Sequence, residues 1–277
     1  MKLIMEGWRS FINEAPDPRI KAAVEDVLEE PAYEKYVAEL GSGASDPRVQ
    51  AVLRAGLQDG NPRDESVGVS AGGGPCTQFL PIQNEIDLSK SLGFIAARPA
   101  NVPKVLAGGP ISAADMGGSP IISAANQYIV DGHHRWSQVY MINPDAVIET
   151  MDIKISDAET ALRAMQAAIA VVQKRVPSQK VAKGLNVFAM SDEAMVKWMR
   201  GNFTPDFIKL FVANSEATDA KGVIEQILFN IHLMKENNSP VTNISRGYMP
   251  QTGNAETIDS ELRALSRGIV NFKEPAE

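Results

Sequence analysis

The sequence predicts an α+β fold, in which a small mixed α/β unit lies between helical N- and C-terminal regions. Three observations carry that prediction. Strand-like apolar runs are confined to the middle of the chain, at residues 121–122, 128–130 and 147–155. On either side, apolar residues recur every three or four positions, as on one face of a helix. Glycine- and proline-rich stretches at 59–75 and 98–119 punctuate the chain. The predicted organisation is a helical region over 1–58, a glycine-rich linker over 59–75, the α/β domain over 76–156 and a helical domain over 157–277.

Composition narrows the class. The chain has 277 residues, of which 44% are apolar, an ordinary share for a globular protein. No apolar run reaches the length of a membrane span, and the first residues lack a signal-peptide core, so no membrane partner is expected. A single cysteine, Cys76, excludes an internal disulfide and a cysteine-based zinc site, which suits a reducing cytoplasm. With 27 basic against 34 acidic residues the net charge is −7. Duplex DNA partners favour a basic surplus, so DNA is admitted as a partner but not favoured.

Taken in order, residues 1–13 carry Ile4, Trp8 and Ile12 at four-residue spacing, an amphipathic helix that either packs on its own domain or docks into a protein partner. Asp17-Pro18 and Asp46-Pro47 each begin a helix, with aspartate as cap and proline in the first position. Gly72-Gly73-Gly74-Pro75 reads as a flexible joint, since it lacks the lysine and helix of a P-loop. Phe79-Leu80-Pro81-Ile82 starts the α/β unit, followed by a helical turn over 87–92. The punctuated stretch 98–119 is expected to be a mobile flap. Asn143-Pro144 ends the central helix, and 147–155 alternates as a closing strand. Helices then begin at Ser156 with Glu159, at Ser191, at Thr204-Pro205 and at Thr218, and a last one bears Ile258, Leu262, Leu265 and Ile269.

The stretch PIISAANQYIVDGHHRWSQVYMI, residues 120–142, is the centre of the reading. Two apolar runs separated by Asn126-Gln127 form a hairpin, and after Gly132 the period changes to that of a helix. That helix opens with His133, His134 and Arg135. A helix N-terminus offers unpaired N–H groups and a partial positive charge to anions. Gly132 allows close approach of a ligand, Arg135 can fork onto a phosphate, and the imidazoles can donate hydrogen bonds or move a proton. Adjacent histidines point about 100° apart on a helix, so they do not form an i, i+4 metal pair, and no metal site is predicted.

The hairpin, the Asp131-Gly132-His133-His134-Arg135 turn, the strand at 147–155 and the upstream box Leu80-Pro81-Ile82-Gln83-Asn84-Glu85-Ile86 together resemble the ParB/sulfiredoxin-like superfamily. In spelling, the DGHHR turn is closest to the branch of kinases that phosphorylate free serine. The sulfiredoxin activity is excluded, because His133 stands where those enzymes carry a catalytic cysteine. The opening MKLIMEGWRSFINE also resembles termini of tailed-bacteriophage proteins, which implies the cytoplasm of a bacterial host. The superfamily resemblance implies a nucleotide, ATP or ADP or another NTP with Mg²⁺, whose phosphates rest on Gly132, His133, His134 and Arg135. It implies that the 80–86 box lines the nucleotide and acceptor pocket, with Gln83 and Lys90 among the binding residues. Glu85 is then the base that takes the proton of a small hydroxyl acceptor, with Asp87 as its alternative. Asp131 orients a histidine or helps to hold the metal, and His133 completes the catalytic set. The expected function is a nucleotide-dependent phosphotransferase. A nucleotide-switched binding module without chemistry and a DNA-directed partition- or nuclease-like protein are the alternatives.

Overall fold

The computed structural model describes residues 67–173, 177, 184–250, 252–268 and 270. The predicted N-terminal helices and amphipathic segment lie outside these residues. The fold class is α+β. The described strands are β1 (Val69–Pro75), β2 (Leu80–Pro81), β3 (Ile121–Ala124), β4 (Tyr128–Asp131) and β5 (Val147–Ile153). The described helices are α1 (Leu88–Ala97), α2 (Val102–Leu106), α3 (His133–Ile142), α4 (Ala158–Gln173), α5 (Asp192–Asn202), α6 (Pro205–Ala213), α7 (Ala220–Asn237) and α8 (Ala255–Ser266).

Among the described residues the strands make one sheet in the order β1-β5-β3-β4-β2. The hairpin partners β3 and β4 are antiparallel, whereas β2 runs parallel to β4 and β5 parallel to β3. The hairpin turn places both Ala125 and Asn126 at positive φ, 50° and 51°. That is the backbone of a type I′ turn, favourable for asparagine and costly for alanine. Tertiary bonds offset the cost. The Asn126 N–H donates to Asp152 at 2.6 Å, and its side chain accepts from the Gly73 N–H at 3.0 Å and donates to the Gly73 carbonyl at 3.2 Å.

That contact corrects the expected glycine joint. Gly72, Gly73 and Gly74 lie in β1, next to β5, and the small size of Gly72 and Gly73 is what the sheet needs. A Cβ on Gly73 would come within 2.4 Å of the Ile148 carbonyl, and one on Gly72 within 2.8 Å of both Asn126 and Thr150. The expected flap at 98–119 is likewise corrected. Pro99–Asn101 forms a 3₁₀ turn, α2 follows, and Val102, Val105, Ile111 and Met116 are buried in the main core. Asp115 fastens the end of the segment, accepting from Lys104 Nζ at 2.6 Å and from the Ser112 N–H at 2.8 Å.

Helix α3 is the centre of that core. Trp136 and Tyr140 are fully buried and meet edge to face, with centroids 5.4 Å apart. Each aromatic polar atom has a partner: Trp136 Nε1 donates to the Cys76 carbonyl at 3.0 Å, and the Tyr140 hydroxyl to Asn238 Oδ1 at 2.7 Å. Burial pushes the Tyr140 phenol up to about 12. At the helix C-terminus, Asn230 from α7 donates to the carbonyls of Met141 and Ile142, at 3.0 and 3.1 Å.

The described residues group into two compact units. The first contains Ser70–Ala158 and residues 184–246, so the sheet, α1–α3 and α5–α7 belong together. The second contains residues 67–69, 159–173 and 247–268, with α8 and nearly all of α4. The predicted single C-terminal domain over 157–277 is therefore divided. In the second unit, Leu162, Met165 and Ile169 of α4 and Ile258, Leu262 and Leu265 of α8 are buried, as their spacing predicts. The starts at Ser191 and Thr204-Pro205 are as read from the sequence, with each hydroxyl accepting an N–H of the first turn. The start predicted at Thr218 falls one residue later, because Asp219 is the cap of α7.

Candidate functional site

The site is built where β4 ends. Asp131 closes the strand, Gly132 turns the chain at φ 88° and α3 begins at His133. No side chain caps this helix. The Gly132 carbonyl accepts from the N–H groups of Arg135 and Trp136, both at 2.9 Å. The main-chain donors of His133 and His134, the two residues before Arg135, are groups the α-helical pattern leaves without an internal acceptor. Here the partial positive end of the helix dipole is concentrated.

Both imidazoles hold the upstream box against this turn. Gln83 donates its backbone N–H to His133 Nε2 at 3.1 Å, and Asp87 donates its own to His134 Nε2 at 3.2 Å. Because neighbouring helical side chains diverge by about 100°, they engage Gln83 in the box and Asp87 just beyond it, four residues apart. The box therefore arches over the helix start between these two anchors. With Nε2 accepting, each neutral ring carries its proton on Nδ1. Burial lowers the His133 pKa to about 3; the Ile129 carbonyl opposes that shift and the charge of Arg135 reinforces it. For His134, burial and then the charge of Arg246 bring the pKa to about 3. Both rings are thus neutral acceptors at physiological pH.

Other groups secure the arch. Gln83 is buried, and its side-chain amide donates to the Glu85 carbonyl. The Ile86 N–H donates to Asn186 Oδ1 at 3.2 Å, and the Leu88 N–H to the Leu185 carbonyl at 2.9 Å. A distant segment also crosses the box: the Asn84 N–H donates to the Ile244 carbonyl at 3.0 Å, and the Val241 N–H to the Pro81 carbonyl at 3.1 Å. Asn84 Nδ2 donates to the Asn243 carbonyl at 3.0 Å. Its Oδ1 is buried and has no partner among the described residues. Glu85, next along the arch, is half-buried, and Lys90 is exposed in the first turn of α1.

Arg135 folds back over the glycine. Its Nη2 donates to the Pro120 carbonyl at 2.9 Å and to Asp131 Oδ2 at 3.3 Å. A Cβ at Gly132 would lie only 3.0 Å from that Nη2, so the guanidinium stacks on the space that glycine leaves. Its Nε is buried and unpaired among the described residues. Asp87 caps α1, accepting from the Ser89 N–H at 2.9 Å and the Ser89 hydroxyl at 2.7 Å. Burial raises its pKa, but the bonds from Ser89 and the Lys90 N–H outweigh burial and hold the carboxyl below its ordinary value.

The structure thus brings Gln83, Asp131, Gly132, His133, His134 and Arg135 into one hydrogen-bonded assembly, with Glu85 on the arch that the histidines anchor. Lys90 stands at its exposed edge. Asn84, a member of the box, belongs to this neighbourhood, as do Asn186 and Arg246, which are not among the expected site residues. The asparagine-rich composition of 237–254 was the available signal for part of it. Among the described residues no three His, Cys, Asp or Glu side chains converge as metal ligands. No helix among them is long and apolar enough to cross a membrane. Comparison of the chain with protein-family models, characterised proteins and solved structures finds no match.

Proposed function

We propose that the start of α3 and the arched box form a nucleotide site, and that the protein transfers a phosphoryl group from ATP or ADP to a small hydroxyl acceptor. The observation that carries this reading is the helix start at Gly132–His134, which no side chain caps, with two neutral histidines accepting from the segment packed beside it. Unpaired main-chain donors and the helix dipole favour an anion there, and phosphate is the anion such turns accommodate best. The likeness of the DGHHR turn and the 80–86 box to ParB/sulfiredoxin-like kinases supports the same assignment.

Phosphoryl transfer demands positioning and charge neutralisation more than covalent help from the protein. In this reading the N–H groups of His133 and His134 bind the phosphates, and the rings act as struts. Arg135 adds the donor now buried and unpaired. Magnesium would arrive with the nucleotide, as is usual for an ion that keeps few protein ligands, with Asp131 the nearest carboxylate to the turn. The free Asn84 Oδ1 suits a donor on the acceptor molecule, and Glu85 beside it takes the hydroxyl proton. The protein works in the cytoplasm, that of a bacterial host if the chain is phage-encoded.

The test is ³¹P NMR of the full chain with ATP or ADP, Mg²⁺ and serine or another small alcohol. A new phosphomonoester resonance, abolished in Glu85→Gln, is the expected result. Unchanged turnover in that variant removes Glu85 as base. A second reading has one observation in its favour: both histidines are neutral struts, which leaves few groups for chemistry. In that reading the site is a nucleotide-binding module, recognised by binding without turnover. Retention on DNA that weakens steeply with salt would instead favour a DNA-directed protein.

A further inference from the structure

The 237–246 segment is sewn onto the box like an added strand. Gln83 and Ile244 form a parallel bridge, the Thr242 hydroxyl donates to the Ile82 carbonyl at 2.6 Å, and the Asn84 and Val241 N–H groups complete the seam. The seam delivers Arg246 beside His134 and Asp87. This side chain is only 12% exposed, yet among the described residues its ion-pair partner is Asp87 Oδ2 alone, at 3.6 Å, longer than a hydrogen bond. Asp87 is already occupied on Oδ1 by Ser89. Beside Oδ2 the chain passes so closely that a Cβ on Gly184 would lie 2.0 Å away, so only glycine fits there.

A largely buried arginine with five N–H donors and one loose ion pair is under-used. Two cations, Arg246 and Lys90, lie near enough to His134 to oppose its protonation, and Asp87 is the anion that counters them. We infer that Arg246 is a second phosphate-binding guanidinium of this site beside Arg135, held in reserve by Asp87 and exchanged from that carboxylate to a phosphate of the bound nucleotide. The inference rests on the nucleotide reading above. Asp87 acts as an internal anion that competes with the ligand, and the 241–244 seam fixes where the arginine waits.

The exchange gives opposite signs for two substitutions. Arg246→Ala removes a ligand donor and weakens binding. Asp87→Asn removes the competing charge but keeps a good helix cap, so it tightens binding. A purely structural ion pair would make both changes harmful. The experiment is calorimetric titration of the full chain with Mg²⁺–ATP and with pyrophosphate, alongside near-UV circular dichroism to confirm folding.

The expected result is at least tenfold weaker binding of both probes in Arg246→Ala, partial recovery in Arg246→Lys, and severalfold tighter binding in Asp87→Asn. Wild-type affinity in folded Arg246→Ala or Arg246→Lys overturns the role of Arg246, while the nucleotide reading stands. Unchanged or weaker binding in Asp87→Asn overturns the exchange. If wild-type protein binds neither probe, the nucleotide reading itself falls and the inference with it.

Discussion

Acid should loosen this protein well before its carboxylates titrate, because two histidines serve as buried acceptors. His133 and His134 have pKa values near 3 in the folded chain, against an ordinary 6.5. Between those values the unfolded chain binds a proton on each that the folded chain refuses. Stability contributed by the neutral rings is therefore full above about pH 7 and falls as pH drops through 6.5. Integrating over the window from pH 7 to pH 5, each histidine costs about 2 kcal/mol, approaching the limiting slope of about 1.4 kcal/mol per pH unit. The pair together cost about 4 kcal/mol, a large share of the stability of an ordinary domain. Carboxylates with lowered pKa, such as Asp87 and Asp115, lose their contribution only at lower pH.

The assay is urea unfolding at pH 7 and pH 5, followed by tryptophan fluorescence, to which Trp136 within α3 contributes. His133→Gln and His134→Gln keep an acceptor and cannot titrate. Each should lower stability at pH 7 yet remove about half of the pH-dependent loss. A wild-type midpoint that is the same at pH 7 and pH 5, or glutamine variants as acid-sensitive as wild type, would refute the assignment of the rings as neutral acceptors.

Three further outcomes follow from the geometry. Asn230→Ala should destabilise by about 1–3 kcal/mol in chemical denaturation, because the Met141 and Ile142 carbonyls lose their donor in a buried place. Gly132→Ala forces a side chain into a left-handed turn and against Arg135; thermal melting should show a loss of about 1–3 kcal/mol, and nucleotide titration a loss of binding. Gly73→Ala should also disrupt the β1 edge of the sheet, read as faster amide hydrogen exchange at Ile148 and Thr150, because its Cβ would meet the Ile148 carbonyl.

The local part of this structure was legible from the chain. The change of period after Gly132 locates the first residue of α3, Ser191 and Thr204 mark helix starts by the side-chain capping seen in the fold, and Asn143 marks the end of α3. Long-range roles were not legible. Nothing near His133 or His134 indicates that their acceptors would be filled from Gln83 and Asp87, since that pairing exists only once β2 lies beside β4. Gly72 and Gly73 are needed for close contact with β5, yet the composition of the 72–74 run alone matches a flexible joint. In the 98–119 stretch the glycines dominate the composition, while Val102, Val105 and Leu106 supply a short helical face that anchors it. Arg246 reaches the site through a seam formed largely by backbone groups, whose pairing the composition of 237–254 does not specify.

The account depends on anion binding at the start of α3, and NMR titration of ¹⁵N-labelled protein with Mg²⁺–ATP tests it most directly. Saturable shifts at the backbone amides of Gly132, His133 and His134, at the same ligand concentrations as those of the Arg246 side chain, are predicted. Amides at that turn that stay unmoved while ATP binds elsewhere, or fails to bind, would contradict it.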